Sequence, residues 1–179
     1  MLQPYIVDRG TIRVIGKSVS FGGNRPPTGE IGDLFADMRG ILDCIPYRAD
    51  GPRFLGISIN HWNSDGSARR GYMLGAEVTS LAEYPFDHEC RLIPASRWVY
   101  VPIRYDDPEV LALAPEEMRG DYGYVTGAVF RWTHRWIAEN GHIKQDFPDE
   151  LEIYGLHEGY AFAESPEKEA NLTIAVPIV

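Results

Sequence analysis

The sequence predicts an α+β domain in which a strand–helix–strand–strand unit occurs twice, giving antiparallel strands with helices packed against them. Two observations carry this. Apolar residues recur at helical spacing over 31–42 and again over 122–139, and each stretch is followed by a pair of strand-like segments, 54–62 with 71–80 and 150–155 with 170–179. A repeated order of elements marks tandem modules. The chain therefore reads as one domain, 1–179, built from two similar halves of about 1–85 and 86–179. The crease between such halves is a natural place for a small ligand.

The elements follow in order. Over 11–21, Ile12 and Val14 alternate and then Lys17, Val19 and Phe21, predicting a half-buried strand bulged at Gly16. Residues 22–29, rich in glycine and proline, are loop. Ile31, Leu34, Phe35, Met38, Ile41 and Leu42 share one helical face, and Pro46 stops that helix. Residues 54–62 and 71–80 form a hairpin around the turn at 63–67, and Pro85 breaks the chain. The second half opens with 89–105, a strand pair or one bent strand, followed by a short helix in 107–118. Val125, Val129, Trp132, Trp136 and Ile137 then define a long helix that Asn140-Gly141 ends. Strands at 150–155 and 170–179 close the chain.

Composition narrows the function. Twenty-six acidic residues against 17 basic ones leave a net charge of −9, unsuited to neutralising a phosphate backbone and mildly attractive to cations. Cys44 and Cys90 are far apart, and the five histidines, among them His61, His88 and His134, form no ligand spacing. No metal and no cofactor are therefore expected. No apolar run approaches a membrane span, and no signal peptide is legible, so a cytoplasmic location is expected.

Five segments stand out together: Met73-Leu74-Gly75-Ala76-Glu77-Val78-Thr79-Ser80-Leu81 with Pro85, Ile93-Pro94-Ala95-Ser96-Arg97-Trp98, and the helix ending Trp136-Ile137 before Glu139-Asn140-Gly141. Leu151-Glu152-Ile153-Tyr154 and Ile174-Ala175-Val176-Pro177-Ile178 complete the set, which spans nearly the whole chain. In order and spacing these segments resemble the GyrI-like proteins, which include the effector-binding domains of AraC- and MerR-type transcription regulators. The resemblance implies a pseudo-symmetric pair of βαββ modules around a small-molecule crease, with a pocket glutamate at Glu152. A first strand near residue 5 leaves no room for a helix-turn-helix, so a free-standing member is expected. Such relatives include drug-binding modules, a gyrase-inhibiting protein and hydrolases of cyclopropane-containing compounds, and fold does not choose among them.

The candidate site residues are Glu152, Tyr154, Trp132, Phe35, Trp98, Tyr72, Trp62 and Glu77. Glu152 and Tyr154 alternate, so both face one side of their strand while Leu151 and Ile153 face the other. By pattern alone Glu152 reads as a solvated strand residue as readily as a pocket acid; the resemblance favours the pocket. Trp132 and Trp136, at i and i+4, are core or pocket, as is Phe35 on the first helix. Trp62, Tyr72 and Trp98 stand at or near strand ends, beside the crease or its mouth. Glu77 is a second pocket acid or the partner of a nearby arginine. Three functions follow in order: a binder of small, partly apolar organic cations; a hydrolase of reactive electrophiles using Glu152 and Tyr154; and a protein partner's inhibitor, as of DNA gyrase.

Overall fold

The computed structural model describes residues 2–21, 28–50, 54–62, 68–83, 87–154 and 171–179. Within them lie the strands β1 (Tyr5–Arg9), β2 (Ile12–Phe21), β3 (Phe54–Trp62), β4 (Ala68–Val78), β5 (Glu89–Ile93), β6 (Ser96–Arg104), β7 (Leu151–Tyr154) and β8 (Asn171–Ile178). The helices are α1 (Thr28–Ile41), the single turn α2 (Pro108–Leu111) and α3 (Tyr122–Glu139). All strand pairings are antiparallel, in one sheet ordered β1–β6–β8–β7–β3–β4–β2–β5. Exchanging the halves (β1 for β5, β2 for β6, β3 for β7, β4 for β8) reproduces that order from the other end. The tandem βαββ arrangement is thus written into the sheet.

The ladders fix where the pseudo-two-fold axis passes. Arg13 pairs with Val78 across β2 and β4 as Arg97 pairs with Ile178 across β6 and β8. Four residues further along, Leu74 pairs with Gly56 as Ile174 pairs with Glu152. Gly56 and Glu152 are therefore counterparts, and they also pair with each other in the central β3–β7 ladder. The axis runs through this one pair, which carries no side chain in the first half and a carboxylate in the second.

The sheet is strongly curled. Only Gly10 and Thr11 join β1 to β2, and only Pro94 and Ala95 join β5 to β6. In a flat sheet each pair would lie six spacings of about 4.8 Å apart, roughly 29 Å, whereas two linking residues reach about 10 Å. Curling buries both faces. The inner face closes on itself around Ile12, Val14, Leu55, Ile57, Trp98 and Ile153. The outer face buries Ile15, Phe54, Leu74, Val101 and Ile174 under helix residues such as Met38, Val125 and Val129.

Two buried faces explain a departure from the predicted bulge at Gly16. The β2–β4 register runs unbroken from Arg13 to Phe21. Ile12 and Val14 face inward and Ile15, Val19 and Phe21 face the helices, so the apparent change of phase is a change of which face is apolar. Gly16 instead pairs with Gly75, where an added Cβ would lie 2.2 Å from the Leu74 carbonyl oxygen. The alternation over 11–21 also leaves out β1, a separate strand. The span 89–105 proves to be the strand pair: β5 sits on one edge of the sheet and β6 next to the other.

The helices form where their end signals predict. Asp121 caps α3 by accepting from the Tyr124 N–H at 2.9 Å. At its far end Gly141 takes a φ of 75°, and the His142 N–H bonds back to the Ile137 carbonyl. Helix α1 ends in a 3₁₀ turn at Leu42–Cys44 ahead of Pro46. Its main packing is on β2 and β4, and that of α3 is on β6 and β8. The central pair β3 and β7 runs between them. No helix among the described residues is long and apolar enough to cross a membrane.

Candidate functional site between the two helices

Strand alternation places Glu152 and Tyr154 on the helix-facing side of β7, with Leu151 and Ile153 in the inner core. Tyr72 reaches the same point from β4, two strands away. The Tyr154 hydroxyl donates to Glu152 Oε2 at 2.6 Å and the Tyr72 hydroxyl to the same oxygen at 2.8 Å. The two phenol oxygens are 3.4 Å apart. Phe35 of α1 meets the Tyr154 ring edge-on, with centroids 5.3 Å apart.

The other wall was not foreseen. Tyr105, just past β6, hydrogen-bonds Thr126 of α3 at 2.5 Å and packs edge-on against Tyr122. Burial, and then the Glu152 charge, pushes its phenol above the usual range. Tyr105 follows the polar Arg104 where strand alternation ends, and no spacing marked it. Further along α3, His134 lies 2.6 Å from Glu150, the residue preceding β7. Thr126, Phe130 and His134 stand four apart, so they form one row on the helix, which runs from Tyr105, past the end of β6, to Glu150, ahead of β7.

The electrostatics follow from burial. Dense packing raises the Glu152 carboxyl above its usual range, and the two phenol hydrogen bonds pull only partly the other way. By accessible surface Glu152 is nonetheless half-buried, so part of it stays open. Burial, and then the nearby Glu152 charge, pushes Tyr72 and Tyr154 well above the usual phenol range. Both therefore remain protonated donors near neutral pH. Among the described residues no lysine, arginine or histidine pairs with Glu152, and no hydrogen bond reaches its Oε1.

The remaining predicted residues lie elsewhere. Glu77 faces the inner side of the curl, 2.8 Å from Arg9 of β1; of its two readings, the arginine partner is the one the structure forms. Trp98 is fully buried on that same inner face, because its position in β6 alternates with the outward Val99 and Val101. Trp132 is half-buried against the helix-side core. It stands two residues from Phe130, about 160° around the helix, so Phe130 and not Trp132 is the α3 ring on the Glu150 side. The side chain of Trp62 lies outside the described residues.

No protein-family model matches the sequence, and no curated protein matches it. Solved structures do match in shape. SAV2435 bound to tetraphenylphosphonium superposes with a TM-score of 0.63 at 12% identity, over 99% of this chain and 94% of that one. The C-terminal domain of EcmrR gives 0.61 at 13% identity, over 100% and 98%. In the EcmrR–DNA complex this chain spans only 57% of the longer polypeptide. A putative transcription regulation protein of Staphylococcus aureus gives 0.60 at 12% identity, over 99% of both chains. At such identities the likeness is one of fold: the chain has the tandem βαββ architecture that the GyrI-like resemblance implies.

Proposed function

We propose that the chain binds a small, partly apolar organic cation in the crease between α1 and α3, with Glu152 as counter-charge. One observation carries this reading: Glu152 is a carboxylate in a poorly solvated place whose partners among the described residues are two neutral phenols. Buried carboxylates are ordinarily paired with a cation. Among the described residues no cation meets Glu152, so on this reading a guest supplies the positive charge and Oε1 is the oxygen that meets it. The rings of Tyr72, Tyr154 and Phe35 add faces that attract organic cations by about 0.5–2 kcal/mol each. The fold shared with SAV2435, a protein seen with tetraphenylphosphonium, supports the same class of guest. On this reading the chain serves as an effector- or drug-binding module.

The test is a fluorescence titration of wild type and Glu152→Gln with tetraphenylphosphonium, a neutral analogue and tetraphenylborate. The reading expects saturable binding of the cation alone, weakened at least tenfold by the substitution, about 1.4 kcal/mol or more. Equal affinity of the two proteins for the cation would overturn it.

The short Tyr154–Glu152 contact favours a second reading. A phenol donor beside a carboxylate can polarise an electrophile while the carboxylate activates water. Turnover of strained electrophiles, abolished by Glu152→Gln and by Tyr154→Phe, would establish it; no turnover across such a panel would dismiss it.

A further inference from the structure

The residue opposite Glu152 has a part in this site that its identity as glycine hides. Tyr72 stands in β4 across from Ser58 of β3, yet its hydroxyl ends on Glu152 of β7. To get there it crosses β3, and it does so over Gly56. A Cβ built on Gly56 would lie 2.0 Å from the Tyr72 hydroxyl oxygen, 2.7 Å from Cζ of the same ring and 3.1 Å from the Glu152 Cβ. Real Cβ atoms do not approach other atoms at 2.0 Å. A side chain at position 56 and the Tyr72–Glu152 hydrogen bond therefore exclude each other in this arrangement.

Two features make this more than a tight spot in a core. Gly56 has extended backbone neighbours within a continuous β3–β4 and β3–β7 ladder, so no turn or bulge accounts for the glycine. It is also the pseudo-two-fold counterpart of Glu152. The axis position is thereby split between a carboxylate and a gap, and the gap is filled by a phenol from the carboxylate's neighbouring half.

We infer that Gly56 is a positioning residue: its missing side chain is the notch through which Tyr72 reaches Glu152, so that two phenols rather than one hold the carboxylate. The consequence for ligand affinity rests on the cation-binding reading above; the positioning itself does not.

The test therefore reads the empty protein first. The Glu152 carboxyl is followed by ¹³C NMR against pH in wild type, Tyr72→Phe, Gly56→Ala and the double variant, with Glu152→Gln assigning the signal. Each single substitution removes the Tyr72 hydrogen bond, so each moves the Glu152 titration to higher pH. The double variant moves it no further than Tyr72→Phe. A wild-type titration in Gly56→Ala would overturn the inference. Should Gly56→Ala fail to fold, the test passes to the Tyr72→Ala background, where the ring that the new methyl strikes is gone. The melting temperature of Tyr72→Ala should then be unchanged by Gly56→Ala, whereas an overpacked wild-type site would lose about 5 °C. Failure of Gly56→Ala to fold in that background too, or a drop there of the same size, would show that Tyr72 is not what the glycine accommodates and would overturn the inference. Tetraphenylphosphonium titration of the same variants separates the two ideas. Coupled carboxyl titrations with no change in cation binding, in Glu152→Gln as well, leave Gly56 as a positioning residue and remove the binding reading.

Discussion

Two carboxylates on opposite faces of one curled sheet have opposite surroundings. Glu77 on the inner face lies against the Arg9 guanidinium, which also reaches the Tyr100 hydroxyl at 3.4 Å. That network ties β1 to β4, strands separated by four others in the sheet order, and so helps hold the curl shut. Glu152 on the outer face has phenols where Glu77 has a guanidinium. One acid is paired with a guanidinium; the other is supported by hydrogen bonds and has no countercharge among the described residues. The contrast separates an acid that holds structure from one that, on the proposed reading, meets a guest, and each of the following experiments presses on it.

The largest effect is expected from Glu152→Gln, on ligand and not on fold. Cation affinity should fall by tenfold to a hundredfold, about 1.4–2.7 kcal/mol, while urea unfolding shows the protein no less stable, because an amide is easier to bury than a carboxylate. Arg9→Met should reverse that pattern. It takes the Arg9 guanidinium away from Glu77, and since neither partner is fully buried the cost should be about 2 kcal/mol in urea unfolding, below that of a fully buried pair, with cation affinity as in wild type. A loss of binding in Arg9→Met would mean that the two faces are coupled through the sheet.

The phenols come next. Tyr154→Phe and Tyr72→Phe each remove one charge-assisted hydrogen bond from Oε2, so each should move the Glu152 titration upward and change cation affinity at neutral pH by a few-fold, within about 1 kcal/mol. A single variant that abolished binding would mean that the hydroxyl itself touches the guest.

The smallest effect is in the pH dependence, and its sign is definite. The folded-state Glu152 carboxyl titrates above its ordinary value, so between the two values the folded state holds a proton that the unfolded state has released. Its contribution to stability is full below the ordinary value and declines as pH rises through the raised one. Glu150 has the opposite sign. His134 and Lys144 hold it below its ordinary value against the effect of burial, so its contribution grows with pH and is lost as pH falls through the lowered value. Subtracting the Glu152→Gln stability profile from that of wild type isolates the first; a difference that rose with pH would contradict a raised Glu152. Cation affinity should climb with pH across the Glu152 transition and level off above it.

What could be read from the chain was what depends on neighbours in sequence. The 3.6-residue stripes of α1 and α3, their stops at Pro46 and Gly141, and the facing of Glu152 with Tyr154 follow from local periodicity. So does the order of elements that makes two βαββ units. Reading Gly16 as a bulge shows the limit: alternation reports which residues are apolar, not which layer covers each face, and this sheet is covered on both.

The rest was decided by pairing between distant strands. The arrival of Tyr72 beside Glu152, the notch at Gly56, the wall at Tyr105 and the turning of Glu77 inward toward Arg9 all depend on strand order and curl. Those are set by two-residue links that draw opposite edges of the sheet together, a long-range closure with no local signature. The sequence by itself determined that Glu152 and Tyr154 share a face; only the tertiary structure decided that a second phenol, from two strands away, would meet the carboxylate there.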